Sequence, residues 1–263
     1  MPIKGFKSLC GRRAACIISK DKGNPQYHRG NNTKGAYVTH YQVDGVIIRT
    51  GSRCDYLLLN YLLYLIAKST NTSEKYGKGN CGGYVANSSS NFGVLSTGTM
   101  NSKGVFWGSS DETSPVKVFG IENFWGNIWK SCAGLIYENS VQKIKLAQGT
   151  NLDGSSTLKY NLTGEGYLEV EGSEISGNAG GYLSKMKFVD GLAMICADIS
   201  GSSSTYYCSP VYFGRTGIFY GLICGENSFK RPIGSFCIDI STSIEDAHVI
   251  AIGSSLSCKP LAK

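Results

Sequence analysis

The chain has 263 residues, with 41% hydrophobic and only 17% charged residues. That length can bury a core, and so aromatic and charge-poor a composition excludes an intrinsically disordered chain. Thirty-four glycines against six prolines, with 16 tyrosines, argue for a turn-rich, mostly β protein and against a helical bundle.

The formal net charge of +7 is concentrated at one end. Residues 1–50 hold nine Lys or Arg and two Asp, and residues 51–263 carry 17 basic and 17 acidic side chains. A basic stretch of this kind seeks an acidic partner surface. It is read as an attachment segment for other proteins rather than for nucleic acid. Its one apolar run, Ala14-Ala15-Cys16-Ile17-Ile18, is too short for a secretory signal core. Residues 37–48 read as strands around the turn Asp44-Gly45.

Residues 55–68 form the first expected helix, apolar on nearly every side and therefore expected to be buried on most faces. It is too short to cross a membrane, and no membrane insertion is expected. Residues 69–104 are rich in Ser, Asn and Gly and read as loop. Short strands are expected at 103–108 and 116–119. A second helix is expected over 120–133, from the four-residue spacings of Phe124 with Ile128 and Trp125 with Trp129. Strands follow at 137–147, 167–170, 191–197, 218–224, 235–240 and 249–256.

Ten cysteines are scattered with no C-x-x-C pair, and only His28, His40 and His248 are available beside them. The expectation is reduced, buried thiols and no metal site. No P-loop and no Gly-x-Ser-x-Gly elbow exists. Asn80-Cys81-Gly82-Gly83 is read as a glycine-rich loop in preference to a nucleophile site. Glu165, Glu169 and Glu171 are the carboxylates a polysaccharide hydrolase would draw on. No catalytic residue and no cofactor is assigned.

Aromatic residues interleaved with polar ones crowd the last third. Tyr206, Tyr207, Tyr212, Arg215, Asn227, Phe229, Lys230 and Arg231 are the candidate ligand-binding residues. Tyr and Arg give large contact area at low entropy cost with adaptable hydrogen bonds. Phe219 and Phe236 are assigned to the core.

Several segments together resemble bacteriophage virion proteins of tail-tip and fibre-like positions. They are Leu57-Leu58-Leu59-Asn60 running to Ala67-Lys68-Ser69, Lys103-Gly104-Val105-Phe106-Trp107-Gly108, and the ending Ile252-Gly253-Ser254-Ser255-Leu256-Ser257-Cys258-Lys259-Pro260. The most specific is Val116-Lys117-Val118-Phe119-Gly120-Ile121-Glu122-Asn123-Phe124-Trp125-Gly126-Asn127-Ile128-Trp129. Its Gly-Asn-x-Trp core resembles C-type-lectin-like domains of the formylglycine-generating-enzyme type, a fold shared by phage tropism determinants. The resemblance implies an α+β fold with two helices and a twisted antiparallel sheet over 51–263, preceded by the basic segment 1–50. It also implies that Trp125, Asn127 and Trp129 are structural. The calcium-binding Glu-Pro-Asn and Trp-Asn-Asp patterns of animal lectins are absent. The implied protein is a non-enzymatic homo-oligomeric virion component, made in the host cytoplasm, that binds a host surface receptor, a glycan first of all. The alternatives are a head-fibre, decoration or baseplate protein packed against virion neighbours, and a polysaccharide hydrolase.

Overall fold

The 15-residue helix α1 (Arg53–Ala67) is built from strong helix formers and apolar residues, with Asp55 complementing the dipole of its first turn. The computed structural model describes residues 40–43, 46–50, 53–85, 93–139, 141–145, 164–170, 175, 180–189, 193–214, 216–225, 228, 230–231, 233–241, 252–253 and 256–260. Within these, α1 is preceded by β1 (His40–Val43) and β2 (Val46–Thr50), and followed by the one-turn helix α2 (Thr72–Tyr76). Thirteen strands come next: β3 (Lys117–Val118), β4 (Ile121–Glu122), β5 (Trp129–Glu138), β6 (Val141–Ile144), β7 (Leu168–Glu169), β8 (Gly180–Tyr182), β9 (Lys185–Val189), β10 (Ala193–Asp198), β11 (Pro210–Phe213), β12 (Ile218–Ile223), β13 (Ile238–Ile240), β14 (Ile252–Gly253) and β15 (Leu256–Pro260). The fold is mixed, mostly sheet with two helices among the described residues, in keeping with the α+β class.

The largest sheet runs β7-β6-β5-β12-β13-β11-β8, with β14 also on β5. Its pairs are antiparallel except β11 with β13 and β14 with β5. The ten-residue β5 is the spine, and it pairs β6 through a tight connection and β12 across a register shift between Tyr220 and Leu222. Helix α1 lies on this sheet: Tyr56, Leu57 and Leu63 join Leu135, Tyr137, Phe213, Ile223, Phe236 and Ile238 in one core. The Arg53 guanidinium is buried there, 5.8 Å from the Phe236 ring centroid. A smaller sheet, β1-β2-β15, ties residues 46–50 to 256–260, with Thr50 opposite Leu256 and Val46 opposite Pro260. The stretch read as an attachment segment therefore contributes its last strand to a ladder with the chain's end. The turn at Asp44-Gly45 lies outside the described residues.

Four expectations are corrected. No helix forms over 120–133. Gly120, Asn123, Gly126 and Asn127 take positive φ (78°, 53°, 75° and 71°), which a right-handed helix cannot absorb. The segment folds as the β3–β4 pair, a turn and the start of β5, so the four-residue spacing of Phe124 and Ile128 marks no helix face. Helix α1 buries one face only; Leu58, Leu62, Leu65 and Ile66 are exposed. The second helix is α2, inside the stretch read as loop, where Asn71 caps it. At 103–108 there is no strand; Trp107 alone makes a bridge, to Lys117. By contrast, the described cysteines Cys81, Cys132, Cys196, Cys208, Cys224 and Cys237 are free and buried, as expected. Phe236 is in the core and Phe219 packs at its edge.

Candidate functional site

A cleft of about 510 Å³ opens between α2 with its exit (71–78) and the 106–110 stretch. One wall starts from the Asn-x-x-Glu capping pattern at Asn71. Its Oδ1 accepts from Glu74 N at 3.2 Å and from Ser73 Oγ at 3.0 Å, and its Nδ2 donates to Glu74 Oε2 at 3.1 Å. The capping places the Asn71 amide and the Glu74 carboxylate together at the cleft rim.

The two walls meet where backbone touches backbone. Lys78 N donates to Ser109 O at 3.0 Å. Gly77 takes φ 108°, and a Cβ there would stand 2.7 Å from Ser109 N and 2.8 Å from Gly108 Cα. A Cβ on Gly108 would overlap the carbonyl of Tyr76. Glycine at both positions is what allows the approach. Behind the crossing lies Trp125, fully buried, whose Nε1 donates to Gly77 O at 3.0 Å.

Aromatic rings line the interior. Tyr76 stacks on Phe106 (centroids 5.4 Å, 24° between planes) and meets the edge of Trp125. Phe106 also packs edge-on against Phe119 at 5.0 Å, yet stays 37% exposed. Trp107 is half-buried, anchored by paired backbone bonds with Lys117 of 2.9 and 2.7 Å. The Lys117 side chain is buried and donates to Met100 O and Lys103 O. That fixes the turn that brings Lys103 Nζ to 5.0 Å from the Trp107 ring.

The polar margin is held by short-range bonds. Asp111 accepts from Ser109 Oγ, from Ser114 N at 2.7 Å and from Thr113 N at 3.0 Å. The Ser109 and Ser114 hydroxyls hold its carboxyl well below the usual range. Lys78 reaches Glu112 at 3.1 Å. The lining thus offers three rings, one amide, three serine hydroxyls, one carboxylate and two ammonium groups, an assortment suited to holding a hydroxyl-rich ligand.

The residues singled out from sequence fall elsewhere. Tyr206 is 62% exposed, with its backbone carbonyl accepting from Thr70 Oγ1. Tyr207 is half-buried against Tyr64 and Phe236. Tyr212 packs on the edge of Trp129 at 6.0 Å, and Arg231 lies over the Tyr182 and Tyr212 rings (5.6 and 5.7 Å) and donates to the Tyr212 hydroxyl. Lys230 is exposed, its backbone N–H bound to Cys81 O. Arg215, Asn227 and Phe229 lie outside the described residues. The structure brings Tyr212 and Arg231 together; Tyr206 and Tyr207 stand by the end of α1. Sequence reasoning does not single out Tyr76, Phe106 or Trp107 as ligand contacts, although an aromatic doublet opening into Gly-Ser-Ser, and Asn-x-x-Glu upstream, were visible signals.

The Trp-rich block is scaffold here. Asn127 is buried, its Oδ1 accepting from Leu95 N (2.7 Å) and Asn80 Nδ2 (3.0 Å) while its Nδ2 donates to Leu95 O. Other titratable groups lie outside the cleft lining. Burial pushes the Cys81 thiol up to about 11, and a protonated thiol is a poor nucleophile. Lys130 is pushed down to about 8 by loss of water around its ammonium, which donates to Cys224 O at 3.3 Å. Glu169 is held by Lys143 at 2.6 Å, Glu165 is exposed, and Glu171 lies outside the described residues. Among the described residues no cluster of His, Cys, Asp and Glu could hold a metal, and no helix is long and apolar enough to cross a membrane. No protein-family model matches the chain, and no curated protein matches it.

Proposed function

We propose that this chain is a non-enzymatic bacteriophage virion component, C-type-lectin-like in its α+β domain, that holds a host surface glycan in the cleft between residues 71–78 and 106–110. The observation that carries the reading is the cleft itself: Tyr76, Phe106 and Trp107 stand beside the Asn71 amide, the Glu74 carboxylate and the Ser109 and Ser110 hydroxyls. A sugar presents C–H faces and a rim of hydroxyls. It needs rings to lie on and fixed donors and acceptors at their margin, with no group acting as nucleophile or base. Its volume is in the range of small-ligand sites. The virion assignment is supported by the resemblance of residues 116–129, and attachment to the particle is assigned to residues 1–50. Weak single sites become effective adhesion when several copies sit on one particle.

The test is calorimetric titration of the full chain with fragmented host surface polysaccharide. Saturable binding that Trp107→Ala weakens by about tenfold or more, with Tyr206→Ala unchanged, supports the cleft. Binding that follows Tyr206 and ignores Trp107 moves the site to the tyrosine-rich region. Release of reducing ends replaces the binding reading with a hydrolytic one.

A further inference from the structure

Charged groups of both signs stand at the cleft, and they differ in what they leave open. Lys75, Lys78 and Glu74 line it, and the Lys103 ammonium lies over the Trp107 ring at 5.0 Å. Glu74 Oε2 accepts from Asn71 Nδ2 at 3.1 Å. Lys78 is paired with Glu112 at 3.1 Å. Lys75 is exposed, and no described residue binds its ammonium. Lys103 is exposed too, and its contact is the face of a neutral ring, which leaves the positive charge uncancelled. We infer, taking the cleft as a glycan site, that the glycan it holds is anionic. A carboxylate or phosphate on the sugar meets Lys75 and Lys103, while the sugar ring lies on Tyr76, Phe106 and Trp107.

The argument for an anion is one of access. Asp111 stands beside Ser109 and Ser110 but is turned into its own loop, where Ser109 Oγ, Thr113 N and the N and Oγ of Ser114 donate to it. Glu112 is taken by Lys78 and Glu74 by Asn71. Each of these carboxylates therefore already accepts from the chain, whereas Lys75 and Lys103 have no acid of their own. An approaching cation finds no open carboxylate; an approaching anion finds two open ammonium groups. The charges balance in number, so the preference is local and not a field over the whole face. Rings that exclude water from one side of the cleft strengthen that local attraction, and added salt weakens it. A lysine is a point charge that does not demand bidentate geometry, so carboxylate and phosphate belong to the same ligand class here.

Binding of the full chain to an array of acidic and neutral bacterial surface polysaccharides, at about 0.05 and 0.5 M salt, tests this. The bound members are expected to carry uronic acid, sialic acid or phosphate, and to lose affinity about tenfold or more at the higher salt. Carboxyl reduction or dephosphorylation of a bound polysaccharide should cost as much, and which treatment does so identifies the anion. Lys75→Gln/Lys103→Gln should abolish the preference with melting unchanged, and Lys185→Gln, at an exposed lysine outside the cleft lining, should not. Neutral members bound as tightly as acidic ones, or acidic ones whose affinity survives both treatments or the double variant, would overturn the inference. The cleft reading then stands if Trp107→Ala still weakens binding. An array on which nothing binds removes the cleft reading and the inference together.

Discussion

Around the cleft, Phe106 and Trp107 keep ring surface open because the chain beneath them is held by other means: the Gly77–Gly108 crossing, the Trp125 indole bound to Gly77 O and the Lys117 ammonium bound to Met100 and Lys103. In the 206–231 region the rings themselves do the holding. Tyr207 packs on Phe236, and Tyr212 is clamped between Trp129 and Arg231. An aromatic residue spent on its own neighbours has its hydrogen-bonding tip and face already engaged, so it has less to give a ligand. The comparison teaches that ring surface stays open where backbone contacts and buried polar groups, and not the rings alone, fix the chain.

The largest effect that would break the contrast is at Trp125. Trp125→Ala removes a fully buried indole and its bond to Gly77 O; a loss of about 3–5 kcal/mol is expected in urea unfolding, with the cleft lost too. Gly108→Ala forces a Cβ into the Tyr76 carbonyl. It should cost about 1–3 kcal/mol and abolish binding through displaced walls, where an alanine at the exposed Lys185 would do neither.

A third prediction sharpens the difference through pH. The folded-state pKa of Lys130 is depressed to about 8, so between pH 8 and 10.5 the unfolded chain binds more protons and stability contributed through this group rises with pH. The raised thiols of Cys81, Cys196 and Cys224 act oppositely above pH 9. Comparison with Lys130→Met isolates the lysine: wild type should gain about 2 kcal/mol on the variant from pH 8 to 10, as measured by chemical denaturation. A flat difference would mean that the ammonium is hydrated. The smallest effect is at Tyr206, whose exposed side chain should tolerate alanine within about 0.5 kcal/mol of stability.

A further cut tests the chain's two ends. Truncation through residue 50 removes β2, the middle strand between β1 and β15, and should lower the melting temperature; truncation through residue 39 keeps that strand.

The sequence by itself determined the chain's class and much of its course. Short apolar runs separated by turn formers announced the strands at 218–224 and 235–240, an uncharged apolar run announced α1, and scattered small apolar cysteines announced buried thiols. These signals are local: period, propensity and side-chain size act within a few residues. What only the tertiary structure decided was which rings face solvent and which walls meet. The spacing of Phe124 and Ile128 mimics a helix, and left-handed Gly and Asn residues overrule it. The cleft joins residues 71–78 to 106–110, and the outward ridge of α1 shows only once its other face is packed. Those outcomes depend on contacts between segments distant in the chain, and such contacts leave no periodic trace in the order of the amino acids.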